Sequence, residues 1–152
     1  MARVKLSLPA DLPFRTEIPI RIGDINYGGH LGNDAVLSIV QEARVRFLGA
    51  FGYTELDIEG AGLMMTDAVV VYAGEGFYGD ILDVQVGVVE IGHAGCDFVF
   101  LLTNNATGRE IARAKTGMVF YNREAKKVTA VPAGFRQKCG TPEPSQNPAS
   151  GA

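Results

Sequence analysis

The chain has only two cysteines, Cys96 and Cys139. Two are too few for a disulfide scaffold, and neither sits in a CxxC or Cys/His spacing that would hold a metal. A reducing cytoplasm is the expected setting. No run approaches the roughly 20 apolar residues of a membrane span. The opening MARVKLSLPADLPF lacks an apolar core of signal-peptide length. Basic excess is missing too, with 14 Lys plus Arg against 17 Asp plus Glu. Without a basic cluster, neither nucleic acid nor an anionic membrane is an expected partner, so any anionic ligand must be held by local groups. There is no internal repeat.

What is present is enough apolar residue for one core. The chain has 152 residues, 47% hydrophobic and 20% charged, which suits a single domain. It is organised around Gly23 to Gly52, GDINYGGHLGNDAVLSIVQEARVRFLGAFG. The first third is a polar, glycine-rich turn. The remainder repeats apolar residues at three- and four-residue steps (Val36, Leu37, Val40, Ala43, Phe47, Leu48, Phe51), which predicts a helix with one buried stripe. Asn33 or Asp34 can cap it, and Arg44 and Arg46 suit the negative end of its dipole. From Gly32 to Ala50 it would run about 28 Å.

Ahead of this segment, Ile18, Ile20 and Ile22 alternate with Glu17, Pro19 and Arg21. That predicts a half-buried strand, and Pro19 gives it one free edge or a bulge. After it, four strand patterns follow at Leu63 to Ala73, Ile81 to Ile91, Cys96 to Thr103 and Glu110 to Tyr121, expected as a meander. The order β-α-β-β-β-β is an α+β fold, an antiparallel sheet covered by one long helix. Residues 1–135 are expected to form the domain and 136–152, ending TPEPSQNPASGA, a flexible tail.

The run DINYGGHLGN followed by a helix containing QEAR resembles the start of the hotdog-fold acyl-CoA thioesterases of the 4-hydroxybenzoyl-CoA thioesterase type. Their pattern there is approximately DxDxxGHxNN followed by ExAR. VVVYAGEGFYGDILDVQV and ARAKTGMVFYNREAKKVTAVP resemble later strands of that family, so the likeness runs over roughly Leu12 to Phe135. It implies a hotdog fold, a five-stranded antiparallel sheet wrapped around one long helix. It also implies a homodimer or homotetramer with sites at the dimer interface, and hydrolysis of an acyl-CoA or acyl-carrier-protein thioester with no metal and no bound cofactor.

Thioester hydrolysis needs a group that polarises the carbonyl and one that activates water. The start of the helix offers backbone N–H groups, so amides around Gly29 to Gly32 are candidates to hold the oxyanion. Gly28, Gly29 and Gly32 equally allow a tight turn. In the family's DxD pattern the second carboxylate is the usual catalytic one. Carried onto this chain, that position is Asn26, which can orient water but cannot act as a base.

The remaining carboxylates are Asp24 and Glu42. Asp24 either acts in catalysis or ties the turn to backbone amides. Glu42 falls beside the buried stripe, where shielding from water would suit a general base. On a solvated face it would instead pair with Arg46. His30 matches the family's GH, and the resemblance assigns it to the active site; otherwise it packs the helix start. Asn33 is a ligand contact or a helix cap. Tyr27, Phe77 and Tyr78 can shape an acyl pocket, the last two equally a dimer contact. Arg109, Arg113, Lys115, Arg123, Lys126 and Lys127 put charge near the last strand without marking a phosphate ligand. His93 is expected on the surface and Cys96 as a buried thiol. The substitution at Asn26 keeps open a second reading, a hotdog protein that binds acyl-CoA or an acyl carrier without turnover. Hydratase chemistry is disfavoured, because its Asp/His pairing on the helix is absent.

Overall fold

Helix α1 spans Ala35–Ala50, 16 residues, because one of its faces can leave water. Val36, Ile39, Val40, Ala43, Phe47 and Leu48 are buried there. In this computed structural model, which describes residues 1–142, the helix is about 24 Å long rather than 28 Å. It starts three residues later than expected, since Gly32, Asn33 and Asp34 belong to the turn. Leu37, expected in the stripe, is 37% exposed, and Ile39 takes its place.

Strands β1 (Phe14–Pro19), β2 (Gly62–Tyr72), β3 (Ile81–Val89), β4 (Gly95–Asn104) and β5 (Glu110–Asn122) form one antiparallel sheet in the order β1-β3-β4-β5-β2. A two-residue β6 (Lys127–Val128) adds to β5. The expected four-strand meander therefore holds only for β3, β4 and β5. β2 pairs with β5, from Gly62 opposite Tyr121 to Tyr72 opposite Ala112. Alternation tells which residues are strand, not which edge is free. With α1 between them, β1 and β2 dock on opposite edges of the central meander.

One face of the sheet turns Leu82, Val84, Val86 and Val88 of β3 inward, with Phe98, Phe100 and Leu102 of β4 and Ala112, Ala114 and Phe120 of β5. Phe47 of α1 meets Phe14 and Phe98 edge-on at 5.4 and 5.9 Å between centroids. That geometry is favoured by the ring quadrupoles.

A second helix, α2 (Ala133–Cys139), closes the far end. Phe135 is fully buried, 5.0 Å from Phe120 and 6.2 Å from Phe98. Thr141 then bonds in both directions to Val88, N–H to carbonyl at 2.8 Å and amide to hydroxyl at 2.9 Å. The packed chain thus continues past the boundary expected at residue 135, and only the part of the expected tail beyond residue 142 lies outside the described residues. PAGFRQKCG is too short to show a helical period, so its two buried side chains, Phe135 and Cys139, were not legible. Among the described residues, no helix is long and apolar enough to cross a membrane.

Candidate active site

The turn before α1 is built from its own backbone. Asp24 is buried, and its carboxylate accepts the Arg21 N–H at 2.8 Å, with the Arg21 guanidinium at 3.5 Å. Its carbonyl accepts the Gly32 N–H at 2.9 Å. Of the two roles open to Asp24, tying the turn is the one the contacts display. Asn26 Oδ1 accepts the N–H of Gly28 at 2.9 Å and of His30 at 3.4 Å. The Asn26 carbonyl accepts Gly29 N–H at 3.0 Å, and Leu31 N–H donates to Gly76 at 2.7 Å. Gly29 has φ +85°, a left-handed conformation that side chains disfavour.

Every N–H from Gly28 to Gly32 is therefore engaged within the protein, and the expected oxyanion donors around Gly29 to Gly32 are taken. The N–H groups of Asn33 and Asp34 have no intramolecular acceptor among the described residues. No side chain caps α1 either, so the cap expected from Asn33 or Asp34 is not made. The open donors lie one step further along, at the threshold of the helix.

His30 Nδ1 lies 3.2 Å from the Leu31 carbonyl. A carbonyl only accepts, so Nδ1 is the donor in this bond, and in the neutral ring the lone pair is then on Nε2. A Cβ on residue 28 would sit 3.3 Å from both Asn26 Oδ1 and His30 Nε2. Glycine at 28 leaves that shared space open. Tyr27 is fully exposed at the tip of the turn, and Phe77 and Tyr78 are exposed on the 74–80 loop that Gly76 ties to Leu31.

Glu42 is not shielded. Its side chain is exposed and pairs with Arg46 at 3.0 Å, while Arg46 also reaches Thr16 and the Glu17 carbonyl. Position 42 stands about 100° round the axis from Ala43 and about 200° from Val40, so sequence adjacency to buried residues does not bury it. It lines, with Asp24 and Ser38, an open cleft of about 260 Å³ beside β1.

Tyr72, which the sequence reading did not single out, matters on the other side of α1. The Tyr72 hydroxyl donates to the Asn33 carbonyl at 2.9 Å. This pins the end of β2 to the helix threshold, beside a hollow of about 300 Å³ lined by His30, Asn33, Val36 and Ile111. Arg44, expected as a dipole-facing charge, is instead 3% exposed and paired with Glu55. Its burial had no sequence signal beyond its one-step distance from Ala43. Lys115 pairs with Asp67, which raises its pKa. Burial pushes both thiols, Cys96 and Cys139, up to about 12, which leaves them unreactive.

Comparison with known proteins follows the same lines. A family model described as the thioesterase-like superfamily matches residues 20–139. Among curated proteins, none matches by sequence. Of solved structures, a 1,4-dihydroxy-2-naphthoyl-CoA thioesterase from Synechocystis superposes with a TM-score of 0.75 at 17% identity, over 82% of this chain and 93% of that one. A thioesterase superfamily protein from Jannaschia sp. CCS1 gives 0.76 at 19% identity, over 85% and 82%. A DHNA-CoA thioesterase from Staphylococcus aureus gives 0.70 at 18% identity, over 82% and 81%. These likenesses establish a shared hotdog fold.

Proposed function

The chain belongs to the thioesterase-like superfamily, and on that ground we propose that it hydrolyses an acyl-CoA or acyl-carrier thioester at the entrance of α1. The observation that supports this most is the His30 side chain, oriented by the Leu31 carbonyl so that Nε2 is the basic nitrogen. Beside it stand Asn26 and the unengaged amides of Asn33 and Asp34. In this reading Nε2 takes a proton from water as its oxygen attacks the thioester carbon. The Asn33 and Asp34 amides hold the oxyanion, aided by the helix dipole. Collapse breaks the C–S bond, and the imidazolium returns the proton to the thiolate, giving acid and thiol. Asn26 holds the turn and presents its amide to the water. Glu42 is not required, and Asp24 supports the turn. Gly28 and Gly29 let substrate approach the backbone, Gly32 being buried against Asp34 and Asn26, and Tyr27 covers the bound acyl group from across a subunit boundary.

A homodimer fits the sheet edges. β1 is a six-residue edge strand blunted by Pro19, Arg15 and Glu17. β2 is eleven residues long, with Met64 and Met65 exposed and its outer edge unpaired among the described residues. A long open edge of this kind recruits another strand, and a second copy supplies one. Both cysteines are free thiols, which supports a reducing compartment such as the cytoplasm.

The test is thiol release from a panel of aliphatic and aromatic acyl-CoAs. His30→Gln is expected to lower kcat by about 10²-fold or more. Full activity in that variant would remove the base assignment. Tight binding of an acyl-CoA with no release by the parent protein would favour the non-catalytic reading, which the carboxamide at Asn26 keeps in play.

A further inference from the structure

The peptide group that joins Asn33 to Asp34 is held differently from those before it. The amides from Gly28 to Gly32 are all engaged inside the protein, whereas the N–H of Asp34 has no acceptor among the described residues. The carbonyl of the same peptide, on Asn33, accepts the Tyr72 hydroxyl at 2.9 Å. Among the described residues that is the only hydrogen bond the carbonyl receives from outside α1.

A peptide is planar and trans, so its carbonyl and its N–H lie in one plane and point in opposite directions. Holding one therefore aims the other. Asp34 has φ −70° and ψ −32°, helical values that align this peptide with α1. Its carbonyl then points along the helix and its N–H back out of the helix start, where the positive end of the dipole lies. A bond donated to the carbonyl also polarises the amide and makes the N–H a stronger donor.

Tyr72 is itself firmly placed. It ends β2 opposite Ala112 of β5. The next two amides, of Ala73 and Gly74, both donate to the Ile111 carbonyl, at 2.9 and 3.1 Å. Tyr72 also shares with His30 and Asn33 the lining of the hollow of about 300 Å³. The sheet thus braces the helix threshold through one hydroxyl.

We propose that Tyr72 is a positioning residue for thioester hydrolysis: its hydroxyl sets the Asn33–Asp34 peptide so that the Asp34 N–H is aimed and polarised for the oxyanion. The proposal rests on the thioester-hydrolase reading above. Tyr72 acts through the peptide and not on the reacting atoms. An oxyanion donor counts only as the charge develops, so a donor that swings costs turnover and leaves ground-state binding alone.

The experiment compares the parent with Tyr72→Phe, which removes the hydroxyl and keeps the ring. It reads kcat and KM on the acyl-CoA that the parent cleaves fastest. It also reads affinity for two analogues of that thioester: the non-hydrolysable thioether, and the trifluoromethyl ketone, whose hydrated form presents a tetrahedral oxygen in place of the planar carbonyl. In Tyr72→Phe, kcat should fall about five- to tenfold, the scale of one lost neutral hydrogen bond, with KM changed by under about twofold. The ketone should lose affinity by a similar factor while the thioether changes by under about twofold. Damage to the hollow or local unfolding would weaken both analogues together. Unchanged kcat, or equal losses for the two analogues, overturns the proposal. If the parent cleaves no acyl-CoA, the hydrolase reading falls, and the analogues of the acyl-CoA it binds most tightly decide the role of Tyr72. A loss confined to the ketone then supports the positioning of the Asp34 N–H, and equal change removes it.

Discussion

The two ends of α1 are held by different physics. At its start, the turn from Asp24 to Asn33 is fixed by backbone and Asx hydrogen bonds, while Tyr27 and the open amides of Asn33 and Asp34 face outward. Beyond its last residues the chain is closed by aromatic burial. Phe135 packs on Phe98, Phe120 and Tyr53, with Tyr53 bonded to Glu59 at 2.6 Å and Lys138 over its ring. Hydrogen bonds fix a shape without consuming side-chain surface, so the first end can be rigid and still reactive. Apolar closure gives stability but leaves no donor or acceptor to offer.

Substitutions at the two ends should therefore separate stability from turnover. Phe135→Ala should cost about 3–5 kcal/mol, the cavity penalty for a buried ring, measured by denaturant unfolding. The kcat of the protein that remains folded should be little changed. A stability loss under about 1 kcal/mol would mean that α2 does not close the core.

Asn26→Ala should show the reverse signature. Losing the acceptor for two exposed amides costs about 1 kcal/mol, whereas thioester hydrolysis should fall by about 10²-fold. A variant that is both stable and active would show that the turn keeps its shape without the carboxamide.

Tyr53→Phe is a smaller change at the closed end, about 1 kcal/mol for the lost bond to Glu59. It also carries a pH signature. The Glu59 hydrogen bond, then burial, raise the Tyr53 hydroxyl from 10.0 to about 12. A pKa raised on folding gives stability that is complete below pH 10 and lost as pH rises toward 12. In the phenylalanine variant that stretch of the unfolding profile should flatten, and an unchanged slope would assign it to another group.

Glu42→Gln should have the least effect, about 0.3–0.5 kcal/mol for the exposed pair with Arg46, with thiol release within about twofold of the parent. A loss of about 10²-fold would return the base to Glu42.

Much of the fold could be read in advance because its signals are local. The three- and four-residue spacing of Val36, Val40, Ala43 and Phe47 announces α1, and the alternation around Ile18 announces β1, with Pro19 marking it as an edge, although the expected continuation to Ile20 and Ile22 falls past the strand's end and Ile22 is exposed. The turn that carries the candidate site was legible as a segment but not as an arrangement. DINYGGHLGN marked the polar turn ahead of α1, yet which of its amides were engaged depended on Gly76, some 45 residues away, and on Asp24 folding back onto Gly32. Of the two readings open for Glu42 the exposed pair with Arg46 holds, because nearness in sequence to buried residues says nothing of angle around the helix axis. Arg44, one residue from Ala43, turned the other way into the core and was missed for the same reason.

By itself, the sequence determined the element types, their order and the one polar turn feeding the one long helix, since spacing and turn chemistry act over a few residues. Only the tertiary structure decided that β2 crosses to β5, that α2 closes the far end, and which donors at the helix threshold remain open. Those outcomes depend on competition between distant groups for the same edges, space and acceptors, and that competition exists only once the chain has folded.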